Sequence, residues 1–289
     1  MITRYIFPRW TLAMLFIALL TLAGCSDDTE ARFPVLPNPP FPQRTDSLRV
    51  LALGNSFTDD ALALMPILVD SAHLNRSRMC FYAAVKGSAS IDYWMQTITA
   101  NDSLVLSCYL AGARMQARGP LQRILAQPWD VIVVQQASDL SYRWATYAQF
   151  SAYIHTIRAL CPNPRLSILF QQVWSHNRDE DPMVYRGNVV CSQNVGQMIG
   201  AHHIIPTGMA IQYARATHLC DDRYLTRDGW HLNLGIGRYI ATATWYERII
   251  RPVFGQPLPA LTALPDGHYT EADIITANDC VQRACTTAL

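Results

Sequence analysis

Short apolar runs alternate with longer helical stretches along most of this chain, and this alternation constrains the fold more than any other feature. The runs are rich in Val, Ile and Leu and are bounded by polar residues or proline, as is typical of buried strands. Strands that alternate with helices predict a parallel sheet covered by helices on both faces. The predicted strands are Leu48–Leu53, Met79–Ala84, Val131–Gln135, Leu166–Gln171 and His203–Pro206, and the predicted helices are Asp60–Leu74, Met115–Ala126, Thr146–Leu160, Met183–Ile199, Leu234–Ile250 and Glu271–Ala284.

Two short segments carry the residue types of a serine hydrolase. Ser56 follows the first predicted strand in Gly54-Asn55-Ser56, whereas Asp228 and His231 lie three positions apart before a late predicted helix. A serine hydroxyl is a poor nucleophile at neutral pH, so it needs a base within hydrogen-bonding reach and a carboxylate that orients this base. Ser56, His231 and Asp228 can supply these three roles.

Each of these residues also has an ordinary structural interpretation. Ser56 could cap the helix that follows it, because serine is favoured at that position. Asp228 and Gly229 are typical of a turn, and a lone histidine such as His231 is more often structural than catalytic. The position of Ser56 just past a strand favours the catalytic interpretation, because ligands of parallel sheets bind beyond the carboxyl ends of the strands.

In this order and spacing, the motifs resemble the SGNH (GDSL-like) hydrolase superfamily, in particular a branch of bacterial lipoprotein domains of unassigned function. The resemblance extends over roughly residues 48 to 250 and includes the segments that begin at Phe170, Ile205 and Gly229. It implies a three-layer α/β/α sandwich with a central, mainly parallel, five-stranded sheet of the flavodoxin-like type. It also implies ester hydrolysis through an acyl-enzyme, a reaction that uses no cofactor and no metal.

The resemblance further implies donors for the oxyanion that forms during acyl transfer. Gly87 is one expected donor, and the other is the amide of Gln135 or Gln136, at the end of the third predicted strand. Most SGNH enzymes have an asparagine at this place, so the glutamine departs from the family pattern. Trp94 and Trp174 are candidates for a wall that stacks on a sugar ring, although both are also compatible with core positions.

The first 25 residues have the features of a bacterial lipoprotein signal peptide. Arg4 and Arg9 precede a short apolar core that ends in Leu22-Ala-Gly-Cys25. This core is too short to span a bilayer, and its last four residues resemble a lipobox. We therefore expect removal of residues 1–24, lipidation of Cys25 and attachment to the bacterial outer membrane, with an uncleaved anchor as the alternative. The acidic residues after Cys25 resemble the export tag of some surface lipoproteins.

The remaining chain divides into three parts. Residues 25–47 are rich in proline and lack periodicity, which predicts an extended tether. Residues 48–255 are the predicted hydrolase domain, and residues 256–289 are a tail with one helix. Cys280 and Cys285 in this tail could form a disulfide, although a regular helix would hold them poorly for one.

These features predict a serine esterase that removes acetyl or other small acyl groups from a polysaccharide, so an acylated carbohydrate is the expected partner. The alternatives are a non-catalytic glycan-binding lipoprotein with a hydrolase fold and an esterase acting on peptidoglycan acyl groups. The formal net charge of +1 and the lack of a basic run give no argument for nucleic acid. Fold and triad do not determine the substrate, and the sequence does not predict an oligomeric state.

Overall fold

Strands and helices alternate along the part of the chain that the structure describes. The structure is a computed structural model, and it describes residues 33–41, 47–112, 115–176, 181–220, 224–264 and 268–287. The strands are β1 (Leu48–Gly54), β2 (Met79–Val85), β3 (Ser103–Val105), β4 (Ser107–Ala111), β5 (Arg118–Pro120), β6 (Val131–Val134), β7 (Ser167–Gln171) and β8 (Ile204–Ile205). The α-helices are α1 (Ser56–Leu62), α2 (Met65–Ser71), α3 (Ile91–Ala100), α4 (Leu121–Leu125), α5 (Phe150–Leu160), α6 (Asp181–Ile199), α7 (Thr207–Arg215), α8 (Ile236–Trp245), α9 (Arg251–Phe254) and α10 (Glu271–Thr286).

The central sheet contains six strands in the order β4-β2-β1-β6-β7-β8, and all of them except β4 run parallel. The parallel strands are those predicted from the sequence, and their order corresponds to the 2-1-3-4-5 order of flavodoxin-like sheets. The prediction of five strands is too low by one, because the antiparallel edge strand β4 is short and largely exposed and so lacks a buried-strand pattern. Strands β3 and β5 form a separate two-stranded sheet.

Both faces of the sheet are apolar, which makes the molecule three layers thick. On one face, Leu48, Val50 and Ala52 of β1 belong to a core that also contains residues of α1, α7, α8 and α10. Because successive side chains of a strand point to opposite faces, Leu51 and Leu53 are buried on the other face, where α3, α4 and α5 pack against one another. The α/β class with helices on both sides of a mainly parallel sheet is therefore confirmed.

Two predicted helices differ from those observed. The stretch Asp60–Leu74 contains two helices, α1 and α2, and Pro66 lies in the first turn of the second, where its missing N–H does no harm. In Met115–Ala126, only α4 is helical, because Gly119 and Pro120 disfavour a helix and Arg118–Pro120 pairs as β5 instead. Helix α8 continues into a π-helical turn at Tyr246–Ile250.

Parts of the predicted tether and tail belong to the folded unit, which comprises Pro34–Leu289. Residues 34–41, which we call the strap, contact β7 and the end of α6. Helix α10 buries Val281 completely and also contains Cys280 and Cys285, both free thiols. The predicted signal peptide and Cys25 lie outside the described residues. No helix within the described ranges is long and apolar enough to cross a membrane.

Candidate active site

Ser56 lies where the chain turns from β1 into α1, beyond the carboxyl end of the strand. The side chain of Asn55 caps the helix by accepting a hydrogen bond of 2.9 Å from the N–H of Phe57. The turn is tight because Gly54 faces Thr58, and a Cβ atom at Gly54 would lie 2.0 Å from the Thr58 hydroxyl oxygen. The helix cap is therefore Asn55 rather than Ser56, so the serine hydroxyl is available to another partner.

Asp228 and His231 lie in a tight loop between α7 and α8. The Oδ1 atom of Asp228 accepts hydrogen bonds from the N–H of Trp230 at 2.9 Å and from that of His231 at 2.7 Å. Gly229, which lies between Asp228 and Trp230 in the chain, has a φ of +86°, a conformation that favours glycine. The carboxylate thus has a structural role through Oδ1, while Oδ2 is left for the imidazole.

His231 lies between Ser56 and Asp228 and contacts both. Its Nε2 atom is 2.8 Å from Ser56 Oγ, and its Nδ1 atom is 2.6 Å from Asp228 Oδ2. This is the arrangement of a nucleophile, a base and an orienting acid. The side chain of His231 is 31% exposed and that of Asp228 is 46% exposed, so the site is open to solvent and to a substrate.

The hydrogen bonds of the loop also set the charge of Asp228. Partial burial alone would raise the pKa of this carboxyl, but His231 and Trp230 donate hydrogen bonds to it, and its pKa falls to about 2. The carboxylate is therefore ionised throughout the range in which a histidine acts as a base. An acid that orients a histidine must be ionised in this way.

The predicted oxyanion donors differ in their access to the site. Gly87 lies in an exposed turn after β2, and a Cβ atom there would meet no other atom within 4 Å. Ser56 is the first residue of α1, so its N–H has no acceptor within the helix. The amide nitrogen of Gln136, by contrast, donates to the carbonyl and the hydroxyl of Thr146 at 2.8 and 3.2 Å. The structure therefore corrects the prediction that Gln136 could serve as a donor, because its amide is engaged elsewhere.

Gln135 belongs to a buried polar cluster beneath α1. Its Oε1 atom accepts a hydrogen bond of 2.6 Å from the hydroxyl of Thr58, which also lies 3.5 Å from Oε1 of Gln171. The Nε2 atoms of Gln135 and Gln171 are buried and have no hydrogen-bond partner within the described ranges. Gln135 remains the candidate side-chain donor, because its amide nitrogen is not engaged by another described group.

The two tryptophans predicted to form a substrate wall are core residues. Trp94 is 1% exposed, and Trp174 is fully buried with its ring stacked on Phe57 at 4.0 Å. The exposed tryptophan of the site is instead Trp230, which is 41% exposed and directly precedes His231. Its ring stacks in parallel on the buried His176 at 3.9 Å. The sequence signal for Trp230 was its place next to the histidine, and the structure shows which aromatic ring reaches solvent.

Metal-ligating side chains do not cluster in the part of the chain that the structure describes, where no three His, Cys, Asp or Glu residues come together.

Several known proteins are similar to this chain. The model of a family described as a domain of unknown function, DUF4886, matches residues 49–262. The crystal structure of a DUF4886 family protein from Bacteroides uniformis ATCC 8492 is 28% identical, covers 84% of this chain and 98% of its own, and superimposes with a TM-score of 0.67. Two more distant structures are TesA and a catalytic mutant of Axe2, an acetylxylan esterase from Geobacillus stearothermophilus. Their identities are 11% and 12% and their TM-scores 0.43 and 0.41; they cover 69% and 71% of this chain and 97% and 95% of their own. No curated protein matches the chain.

Proposed function

The chain belongs to the DUF4886 family, whose function is unknown, and from the geometry of its site we propose that it is a serine esterase of the SGNH type. One observation carries the proposal, namely the continuous hydrogen-bonded series from Ser56 Oγ through His231 to Asp228, with distances of 2.8 and 2.6 Å. Such a series activates a serine hydroxyl for acyl transfer.

In the proposed reaction, His231 removes the proton of Ser56 as Oγ attacks the carbonyl carbon of an ester. The oxyanion of the tetrahedral intermediate accepts hydrogen bonds from the N–H groups of Ser56 and Gly87, with Gln135 as a third candidate donor. The intermediate expels the alcohol, which takes its proton from His231, and the acyl group remains on Ser56. Water, deprotonated by the same histidine, then attacks the acyl-enzyme and releases the carboxylic acid.

We propose that the leaving group is a hydroxyl of a carbohydrate and that the acyl group is small, such as acetyl. The support for a carbohydrate is Trp230, because its partly exposed indole ring belongs to the residue directly before His231 and offers an apolar surface to a sugar ring. The support for an open site is the exposure of His231 and Asp228. A bulky glycan can approach such a site.

The test is hydrolysis of p-nitrophenyl acetate and of an acetylated polysaccharide by the full-length protein, compared with Ser56→Ala and Asp228→Asn. We expect Ser56→Ala to lose the activity. Asp228→Asn should lower kcat by about 10⁴-fold, because the imidazole loses its correct tautomer. Turnover by Ser56→Ala at the wild-type rate would contradict the proposal. Binding of the polysaccharide by the wild-type protein without hydrolysis would favour a glycan-binding protein.

We also propose that the mature protein is attached to the outer membrane through a lipid on Cys25. The support is the sequence alone, Leu22-Ala-Gly-Cys25 after a short apolar core, and several acyl chains on one residue give stable attachment where one chain does not. Cys25→Ser should prevent incorporation of labelled fatty acid and leave the chain unprocessed. Incorporation of label into the variant would contradict the proposed lipidation site.

A further inference from the structure

A buried carboxylate joins the helix that carries Ser56 to the loop that carries His231. Asp60 lies four residues after Ser56 on α1, hence on the same helix face one turn away. Its side chain is only 1% exposed. Charged residues are almost never this buried unless they are paired, and the partners of Asp60 come from the other half of the candidate site.

Two partners of Asp60 flank the Asp228–His231 pair, one on each side. Nη1 of Arg227, the residue before Asp228, lies 3.0 and 3.2 Å from the two carboxylate oxygens. The N–H of Leu232, the residue after His231, donates to Oδ2 at 2.9 Å. One carboxylate therefore holds both ends of the short segment that supplies the proposed base and its orienting acid.

A third partner of Asp60 lies outside this loop. Arg238 belongs to α8 and donates from Nε to Oδ1 at 2.8 Å. The side chains of Arg227 and Arg238 are 34% and 22% exposed, respectively. The two arginines thus form comparable ion pairs with the same carboxylate, but only Arg227 is part of the loop that contains His231.

We propose that Asp60, acting through Arg227 and the N–H of Leu232, is a positioning residue that fixes His231 at hydrogen-bonding distance from Ser56; this inference rests on the proposed function. A base must lie within about 3 Å of the proton that it removes, and a misplacement of about 1 Å can lower a rate by about 10²-fold. Nucleophile and base come from segments 175 residues apart in sequence, so a contact between these segments must set their distance.

The two arginines provide a matched test. In Arg227→Gln we expect kcat for p-nitrophenyl acetate to fall on the order of 10²-fold with little change in KM, and Arg227→Lys should recover part of the loss. The melting temperature should fall by similar amounts in Arg227→Gln and Arg238→Gln, but kcat should fall much less in Arg238→Gln. The control is Asp59→Asn, which removes the charge of the exposed residue before Asp60 on α1 and should leave kcat near the wild-type value. The proposal would be overturned if the two arginine variants lost similar amounts of both kcat and melting temperature.

A crystal structure of Arg227→Gln provides a measurement that does not depend on turnover. The distance from Ser56 Oγ to His231 Nε2, now 2.8 Å, should lengthen beyond hydrogen bonding in this variant but not in Arg238→Gln. An unchanged distance in Arg227→Gln would refute the positioning role even if the protein proves to be an esterase. Conversely, a lengthened distance would support this role even if Ser56→Ala leaves the activity intact and so refutes the proposed function.

Discussion

Two residues in the loop that carries His231 make structural hydrogen bonds and also contribute to the proposed active site. Asp228 accepts the hydrogen bonds of its turn through Oδ1 and holds the imidazole through Oδ2. Trp230 is fixed in a similar way, because its N–H donates to Asp228 and its carbonyl accepts a hydrogen bond of 2.8 Å from the indole of Trp174. The exposed ring of Trp230 is therefore presented from a rigid backbone.

The exposed indole of Trp230 leads to a prediction about substrate binding. In Trp230→Ala we expect KM for an acetylated polysaccharide to rise by about tenfold, equivalent to about 1.4 kcal/mol, because the sugar ring loses its stacking surface. Turnover of vinyl acetate, which has no ring, should stay near the wild-type value. Steady-state kinetics on both substrates measure the difference. Ile275→Ala, which removes a similarly exposed apolar side chain from α10, should change neither, and an equal loss on both substrates would contradict a role in glycan binding.

Among the larger elements, the strap was the least expected part of the fold. The side-chain nitrogen of Asn38 donates to the carbonyls of Ile168 and Ile199 at 2.8 and 3.0 Å, and its oxygen accepts from the N–H of Ile168 at 2.9 Å. One asparagine thus connects β7 with the end of α6. These contacts lie near the start of β7, whereas Ser56 lies beyond the carboxyl end of the parallel strand β1.

We predict that Asn38→Ala lowers the free energy of unfolding by about 1–3 kcal/mol, because partly buried backbone groups of β7 and α6 lose their hydrogen bonds. Urea unfolding measures the change. Val35→Ala, in the same strap but at a side chain that is 82% exposed, should stay within about 0.5 kcal/mol of wild type. Equal stability of Asn38→Ala and wild type would show that the strap does not contribute to the domain.

The strap also contacts a buried histidine, from which we expect a dependence of stability on pH. Nε2 of His203 lies 3.0 Å from the carbonyl oxygen of Pro39. Burial, with a smaller contribution from the neighbouring His202, lowers the pKa of His203 to about 4, although the Pro39 carbonyl opposes this shift. The unfolded chain, with a pKa of about 6.5 at this residue, therefore binds more protons than the folded chain between these two values.

Stability contributed by neutral His203 is consequently present above about pH 6.5 and is lost as the pH falls towards about 4. We expect this residue alone to reduce the free energy of unfolding by roughly 2 kcal/mol between pH 7 and pH 5. In His203→Asn, the difference in stability between these two pH values should shrink by that amount. Urea unfolding of both proteins at both pH values measures it, and parallel losses in the two proteins would exclude His203 as the source.

At the scale of the whole molecule, the C-terminal helix closes one face of the core. Ile274, Ala277 and Val281 of α10 are at most 1% exposed, and the helix packs on α7 and α8. A capping box at Thr270 and Asp273 begins the helix, a signal that stabilises its first turn. Residues 268–287 therefore form part of the domain rather than an appendage.

We predict that a chain ending at residue 262, where the family match ends, loses the cooperative thermal unfolding of the full-length protein and binds a hydrophobic dye. The reason is that removal of α10 exposes apolar side chains of α7 and α8, whose burial stabilises the fold by about 25 cal/mol per Å². Circular dichroism and dye fluorescence measure the two effects. A truncated chain with the melting temperature of the full-length protein would contradict the prediction.

The sequence alone determined the features that depend on neighbouring residues. The alternation of strands and helices, the position of Ser56 at the end of β1 and the Asp228–His231 turn all arise within a few residues, so local patterns predict them. Ser56 was a candidate for the cap of α1, but the cap is Asn55. The identity of the oxyanion donors was less accessible, because Gln135 and Gln136 share one strand end and differ only in their partners.

Other features depend on contacts between distant segments and follow from the packing of the whole chain. Strand β4 is short and largely exposed, and it forms because it pairs with the edge of β2. The burial of Trp94 and Trp174 and the exposure of Trp230 depend on how the elements pack around them. The proposed role of Asp60 depends on Arg227 and Leu232, which lie 167 and 172 residues further along the chain. Burial and long-range pairing are properties of the packed molecule, and a local pattern carries little information about them.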